Sequence, residues 1–414
     1  MTINRRLPCE LISLILSQLN KKKDLYACTL VNHVFYKEAT PLLWRHLDIG
    51  NVPTFTSITA ALTQQQQQQH GQLALLGTFV RSIAIIETYV TDEDSNCIAE
   101  FSDDDLLALI QHVPFLTDLI LEEGFHITDR SFEHVPQYIP HLTHLYLGKS
   151  RITQRSMEAM VRHWHPHLTR LELEYCHNLD ADLFSALVPC TALQHLAITR
   201  CHLDAMNDPH IAPSVARHVL ALTNLTTLRI QDCTSDYTSL VATASGATAA
   251  AVWPQLTHIC LDACLETTDD MAIAFIQSHP HLTYLELRNS KITDKTLDAI
   301  PMYLPAVVEV RLSRTPGITP DGLRRLLRTC QHLELVWCPS CGIFQDHFPE
   351  RDEDAMEIDR YDASAGCGGF YDSDLDEDAM EIDRDDDDGE NIVREVIYLF
   401  RKAPFDYDDD DDNE

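Results

Sequence analysis

Basic side chains are in short supply: 31 Lys and Arg stand against 64 Asp and Glu in 414 residues, a formal net charge of −33. Nucleic-acid binding relies on Lys and Arg displacing counterions from phosphates, so this balance argues against nucleic acid as a main partner. Long apolar runs are missing too. The longest uncharged stretch, Tyr237 to Leu261, is rich in Ser, Thr and Ala and contains Pro254, too polar to span a bilayer. At the N-terminus Arg5 and Arg6 precede an apolar LISLIL, but Pro8 and Glu10 interrupt any secretory pattern, so this stretch reads as a helix. There is no phosphate-cradling glycine loop, no G-x-S-x-G elbow and no candidate nucleophile–base pair, and neither catalysis nor a cofactor is expected. Cysteine, by contrast, is present thirteen times, an odd number spread along the chain. That suits reduced thiols of the cytosol or nucleus better than a disulfide framework.

The main regularity is a repeat. HPHLTRLEL at His165–Leu173 returns as HPHLTYLEL at His279–Leu287, and its L-x-L core recurs in registers starting at Phe115, His141, His167, Ala192, Asn224, Gln255, His281, Ala306 and His332. Successive starts lie 25–32 residues apart, the mark of a repeat architecture. In each copy the L-x-L leucines alternate inward on a short strand. Three positions after it stands a small residue: Gly124, Ser150, Cys176, Cys201, Cys233, Cys264, Ser290, Thr315 or Cys341. It fits a tight turn, where a thiol or hydroxyl can bond to the next coil's backbone. Ile-Thr pairs follow at 127, 152, 292 and 318, and then helical spacing, as in Ser156–His163 and Asp269–His279. One coil cannot bury its leucines alone, so the coils must stack. The pattern resembles cysteine-containing leucine-rich repeats over residues 75–345, which implies an α/β fold: a curved solenoid with a parallel sheet on its concave face and helices on its convex face. Residues 75–114 form a degenerate first coil with Val80–Ile86 as its strand. The longer spacings at Cys190–Asn224 and Cys233–Gln255 imply surface insertions.

The repeat also bears on two apparent metal motifs. His141, His167, His281 and His332 share one repeat position, which spaces them along a line instead of converging them on a point. Cys338 and Cys341 of CPSC align with Leu173 and Cys176, so the repeat accounts for both, and no metal is expected.

Residues 1–50 are a different module. Leu7-Pro8 opens a helix with Leu11, Ile15 and Leu19 on one stripe beside Ile12 and Leu16; Asp24 caps a second through Cys28 and Val31; Thr40-Pro41 starts a third that ends near Trp44. Leu7, Pro8, Glu10, Leu11, Ile15, Leu16, Leu19, Asp24, Leu25, Cys28, Val31, Phe35, Leu43 and Trp44 together resemble an F-box, with Asn32 and Phe35 where Cys and Trp are common. That resemblance implies docking on the Skp-type adaptor of a cullin-RING ubiquitin ligase through Leu7, Pro8, Glu10, Leu11, Ile15, Leu16, Leu19, Leu25, Val31 and Trp44. The repeats would then present a protein substrate for ubiquitination. Two other roles fit such a chain: an F-box scaffold that works with the adaptor alone, or, given the acidic tail, a regulator of a Ran-type GTPase. Outward strand positions include Tyr146, Arg170, Glu172, Glu174, Arg229, Asp262, Tyr284, Glu286, Arg288 and Arg311, which form either a substrate surface or a solvated sheet face.

Residues 51–74, with glutamine at 64–69, read as a linker. Residues 346–414 hold 28 Asp and Glu against 6 Lys and Arg, which predicts a largely disordered tail. Within it DEDAMEIDR occurs at Asp352–Arg360 and again at Asp376–Arg384. DSDLDEDAMEID from Asp372 has calcium-loop spacing, but Glu377 stands where that loop requires glycine. The apolar, β-prone Ile392–Phe400 predicts an edge strand docked on the last coil.

Overall fold

The computed structural model describes residues 9–19, 21–67, 76–86, 101–203, 207–233, 235–245, 252–343, 347–348, 356–361 and 394–400. The chain divides into two compact units, residues 1–235 with 252–254 and residues 236–251 with 255–414.

Unit 1 begins with three helices, α1 (Cys9–Leu16), α2 (Lys22–Thr29) and α3 (His33–Leu43). The third starts at His33, well before Thr40-Pro41, because the Asn32 side chain caps it by accepting from the amides of Val34 and Phe35. Asp24 lies in the first turn of α2 and is not its cap. Directly after α3 comes β1 (His46–Ile49), which pairs in parallel with β2 (Ser82–Ile85), and the segment expected to be a linker is a helix, α4 (Val52–Gln67). Glutamine is a good helix former, and Phe55, Ile58 and Leu62 repeat at helical spacing ahead of the tract. The first coil of the solenoid therefore grows out of the helical module: the Arg45 carbonyl, at the end of α3, accepts from the amides of Arg81 and Ser82.

The unit continues through β3 (Asp118–Leu121), β4 (His144–Gly148), β5 (Arg170–Glu174), β6 (His195–Thr199) and β7 (Thr227–Gln231), each parallel to its predecessor and in register. Unit 2 repeats the scheme with β8 (His258–Leu261), β9 (Tyr284–Leu287), β10 (Glu309–Arg311) and β11 (Leu335–Trp337). The nine strands β3–β11 each start three residues into a register read from the sequence. Helices return the chain between strands and pack on one another, as Gln154–Trp164 does on Asp182–Leu187. Unit 2 ends in two further strands, β12 (Met356–Tyr361) and β13 (Arg394–Phe400). The predicted edge strand β13 runs antiparallel to β11, and β12, which begins within the first copy of the duplicated segment, is antiparallel to β13. Of the tail expected to be largely disordered apart from that edge strand, Met356–Tyr361 is thus also a strand. The second copy of DEDAMEIDR and the calcium-like spacing lie outside the described residues.

The L-x-L leucines fill the interior: Leu145, Leu147, Leu171, Leu173, Leu196 and Leu285 are buried, each stabilising the fold by about 1.5–3 kcal/mol relative to exposure. The Thr of HLT closes the next gap. Thr143 and Thr169 each donate a hydroxyl to the carbonyl of the matching Thr one coil back, Thr117 and Thr143, at 3.0 Å, and Thr283 does so to Thr257 at 3.2 Å. The turn thiols are buried but reach back, not forward: Cys176 donates to the Leu147 carbonyl at 3.5 Å and Cys341 to that of Leu312 at 2.7 Å. The residue before each turn position is left-handed at Lys149, Tyr175, Arg200, Asp232, Asn289, Arg314 and Ser340.

The helix ends carry a second ladder. Thr153 caps its own helix by accepting from the Arg155 amide, while its hydroxyl and amide donate to Asp129 of the preceding coil at 2.6 and 2.8 Å; Ser156 adds a hydroxyl at 2.5 Å. Thr128 and Ser131 do the same to Asp103, Thr293 and Thr296 to Asp269, and Thr319 to Asp294. A hydroxyl can do both because it has one proton to give and lone pairs to receive. Burial raises the carboxyls of Asp129 and Asp269, but these hydrogen bonds outweigh it and hold both below the usual aspartate value. Each isoleucine of the Ile-Thr pairs is buried, which ties the capping Thr to the core.

Candidate functional site

The N-terminal helices enclose a small core of Ile12, Leu16 and Ala39, with Leu19, Cys28, Phe35 and Leu42 packed around it. Much apolar surface is left outside. Leu11, Leu14 and Ile15 share one exposed face of α1, with Leu14 at 64% and Ile15 at 56%; Tyr26, Leu30, Val31, Val34 and Tyr36, on α2, its C-terminal end and α3, are exposed as well, Leu30 at 70%. So much exposed apolar side chain on three short helices is the character of a docking surface. Among the residues expected there, Leu11, Ile15 and Val31 are exposed. Leu16 and Leu25 are a correction, since both are buried and face inward. Leu19 and Trp44 are half-buried, Glu10 lies in α1, and Leu7 and Pro8 fall outside the described residues. Lys22 of α2 pairs with Asp48 of β1 at 2.5 Å.

The outward sheet residues form charge networks instead of a row of separate side chains. In unit 1, His144 lies 3.4 Å from Asp118 and 3.2 Å from Glu172, which also accepts from Arg170 at 2.5 Å. Burial raises the Glu172 carboxyl, and these partners more than reverse it. Tyr146 donates its hydroxyl to Glu174; burial and that carboxylate push the phenol well above its ordinary value. Arg200 lies 3.7 Å from Glu174 and 3.5 Å from Asp232. Arg229 is exposed and has no ion pair among the described residues.

In unit 2, Arg288 bridges Asp262 at 3.1 Å and Glu286 at 2.9 Å, and Tyr284 donates to Glu286 at 2.5 Å. Glu286 is 1% exposed and Arg288 is buried, so these two, expected as free surface, are internal. The sequence reading missed Trp337, whose ring receives both Arg288 and Arg311, at 5.1 and 5.5 Å. Its outward position on β11, between Val336 and Cys338, was the available clue.

At the exit end of β4 and β5 a cavity of about 450 Å³ is lined by Phe125, Lys149, Ser150, Arg151, Tyr175, His177 and Asn178, none of which the outward-strand rule selects. They lie in the turns beyond the strands.

His141, His167, His281 and His332 are exposed, and the first two rings, one coil apart, are 6.0 Å between centroids. His279, which opens the second nonapeptide, is instead buried on Phe275. Cys338 and Cys341 are buried thiols, and among the described residues no three His, Cys, Asp or Glu side chains gather as a metal site.

The profile of the F-box-like family matches residues 5–50, and that of a leucine-rich repeat matches residues 278–300. The chain carries an F-box-like domain and a leucine-rich repeat, consistent with an F-box/leucine-rich-repeat protein. The first match spans α1–α3 and β1, and the second runs from the end of one helix through β9 into the next coil. Among solved structures, it is similar to a chain in a crystal structure of the yeast Rad7–Elc1 complex, at 14% identity over 80% of each chain and a TM-score of 0.49. The F-box of this protein is thus the module whose apolar side chains remain exposed, and its last helix leads without a linker into the first repeat strand.

Proposed function

We propose that this F-box protein is the substrate-recognition subunit of a Skp-cullin-F-box ubiquitin ligase. The observation that carries the reading is the exposed apolar face of α1, Leu11, Leu14 and Ile15, on the segment matched by the F-box-like family. That face, with Tyr26 of α2 and Leu30 and Val31 at the end of that helix, docks on the Skp-type adaptor and through it on a cullin. The repeats hold a protein substrate against the outward residues Tyr146, Arg170, Glu172, Glu174 and Arg229 of unit 1 and Asp262, Tyr284 and Arg311 of unit 2. The protein contributes no bond-making chemistry. It raises the effective concentration of substrate lysines near the ubiquitin thioester, and the substrate's fate is proteasomal degradation. Because the Arg45 carbonyl bonds to both Arg81 and Ser82, the F-box is held to the first repeat by backbone hydrogen bonds, which favours a fixed adaptor-to-substrate spacing. Ten free cysteines among the described residues suit the reducing cytosol or nucleus.

The test is affinity purification of the tagged full chain from cells, probed for the adaptor and the cullin. Both should co-purify, and Leu14→Asp should lose both. Capture of adaptor without cullin would point to a scaffold, and capture of neither would overturn the assignment.

A further inference from the structure

The cavity at the exit end of β4 and β5 has a chemistry unlike the sheet face beside it. The outward strand residues pair acid with base along the sheet. The cavity lining holds two cations, Lys149 and Arg151, and no carboxylate. Lys149 is partly engaged, with Nζ 2.6 Å from Glu123 and 5.3 Å from the centre of the Phe125 ring. Arg151 is exposed, and its guanidinium has neither an ion pair nor a hydrogen bond among the described residues. Tyr175 forms an aromatic wall, held by Arg200, which stacks on the ring at 5.0 Å and donates to the hydroxyl at 2.5 Å.

Backbone geometry adds a run of bulky residues at the same place. The residue before the turn is left-handed in most coils, and Asp232, Asn289 and Ser340 there are small and polar. In three consecutive coils around the cavity the position is taken by bulky residues, Lys149, Tyr175 and Arg200, with φ of 54°, 52° and 53°; Arg314 is a single further case in unit 2. Bulky side chains are disfavoured in this conformation, whereas Asn and Asp tolerate it. The shared backbone conformation gives the Cα–Cβ bonds of these three residues a common direction relative to the strands.

From this geometry we infer that the cavity binds one anionic side chain, a carboxylate or a phosphate, of the protein segment held by the repeats. The inference rests on the reading of the repeats as the substrate-binding part. A volume of about 450 Å³ admits one side chain with its adjoining backbone. Arg151 supplies a planar pair of donors matched to carboxylate or phosphate oxygens, and Lys149 a second positive charge. Phe125 and Tyr175 flank the two cations with apolar ring surface. The surroundings are acidic overall, so a cationic segment would have no need of this cavity, and a neutral one would leave Arg151 unused.

The test is fluorescence anisotropy with the full chain and four dye-labelled heptapeptide pools, degenerate except for a central phosphoserine, aspartate, serine or lysine. The phosphoserine pool, the aspartate pool or both should bind at least tenfold more tightly than the serine pool, and which of them does identifies the anion. Arg151→Glu should abolish that preference, Arg151→Lys should keep part of it, and Arg314→Glu, which reverses an exposed cation in unit 2, should leave it intact. Arg151 is exposed, so the variants should melt as the parent does. Equal binding of the anionic and serine pools, binding of none, or an anionic preference that survives Arg151→Glu would overturn the inference. Adaptor capture by the same preparations separates this outcome from the ligase assignment, because Arg151 lies outside the F-box. Capture with no anionic preference removes the cavity's role alone; an Arg151-dependent preference without capture removes the ligase reading alone.

Discussion

Replacing Asp129 by alanine should loosen one joint of the repeat stack in a measurable and pH-dependent way. The carboxylate accepts from the Thr153 amide at 2.8 Å, from the Thr153 hydroxyl at 2.6 Å and from Ser156 at 2.5 Å. Hydrogen bonds to a charged acceptor contribute about 1.5–3 kcal/mol each, but water reaches this partly exposed site and replaces much of that, so the net loss is about 2 kcal/mol. At 1.36 kcal/mol per tenfold, the Thr153 amide should exchange its hydrogen about 30-fold faster in the variant than in the parent at pH 7. The Asp129 pKa is lowered on folding, so its contribution is fully present above the unfolded value near ~3.9 and is lost as the pH falls through the lower folded value. The ratio of exchange rates between variant and parent should therefore shrink towards one as the pH is taken well below about 4. An unchanged rate at pH 7, or a ratio that grows in acid, would refute the ladder as a stabilising device.

Arg288→Ala leaves Glu286 buried without its guanidinium and should lower stability by about 3 kcal/mol, measured by urea denaturation. Asn32→Ala removes the cap of α3 and should cost about 1 kcal/mol, read from the thermal melt of the full chain. Gly148→Ala would place a methyl 2.2 Å from the Glu122 carbonyl oxygen, closer than backbone can tolerate, and should reduce the soluble yield and the melting temperature together. Burial pushes the Cys190 thiol up to about 12, so this cysteine should resist alkylation at pH 8 until the chain is unfolded, by mass spectrometry of the labelled protein.

The parts of the fold legible in the sequence were those repeated many times. Each L-x-L register is weak alone, yet nine at one period placed β3–β11 without a slip, because a strand in a stacked coil has no freedom of register. The unrepeated parts were misread. β1 carries the strand pattern as Leu47-x-Ile49, but the pattern was absorbed into the end of the helical module because its partner, β2, comes from across α4; and α4 was hidden by a glutamine tract whose composition suits both linker and helix. Pro41 suggested a helix start when the cap was Asn32. The aspartate ladder was written in the sequence as Ser102-Asp103, Thr128-Asp129, Thr268-Asp269 and Thr293-Asp294, but its meaning depends on a partner one coil away. Within α1, the sequence picked out the apolar residues but could not divide them into buried and exposed, because Leu11 and Leu16 are equally apolar and packing against Ala39 sends one of them inward. Likewise alternation placed Glu286 on the outward face of β9, while the Arg288 and Tyr284 side chains beside it decide that it is buried.

The central claim, that the exposed face of α1 is the adaptor-binding surface, is tested most directly by titration calorimetry. Purified Skp-type adaptor would be titrated into the intact chain and into a Leu11→Asp/Ile15→Asp double variant, with circular dichroism of both. Both side chains point away from the Ile12–Leu16–Ala39 core, so the variant should keep its helical signal and melting temperature while losing binding by at least a hundredfold. A folded variant that binds the adaptor as tightly as the parent, or an intact chain that does not bind it, would contradict the account.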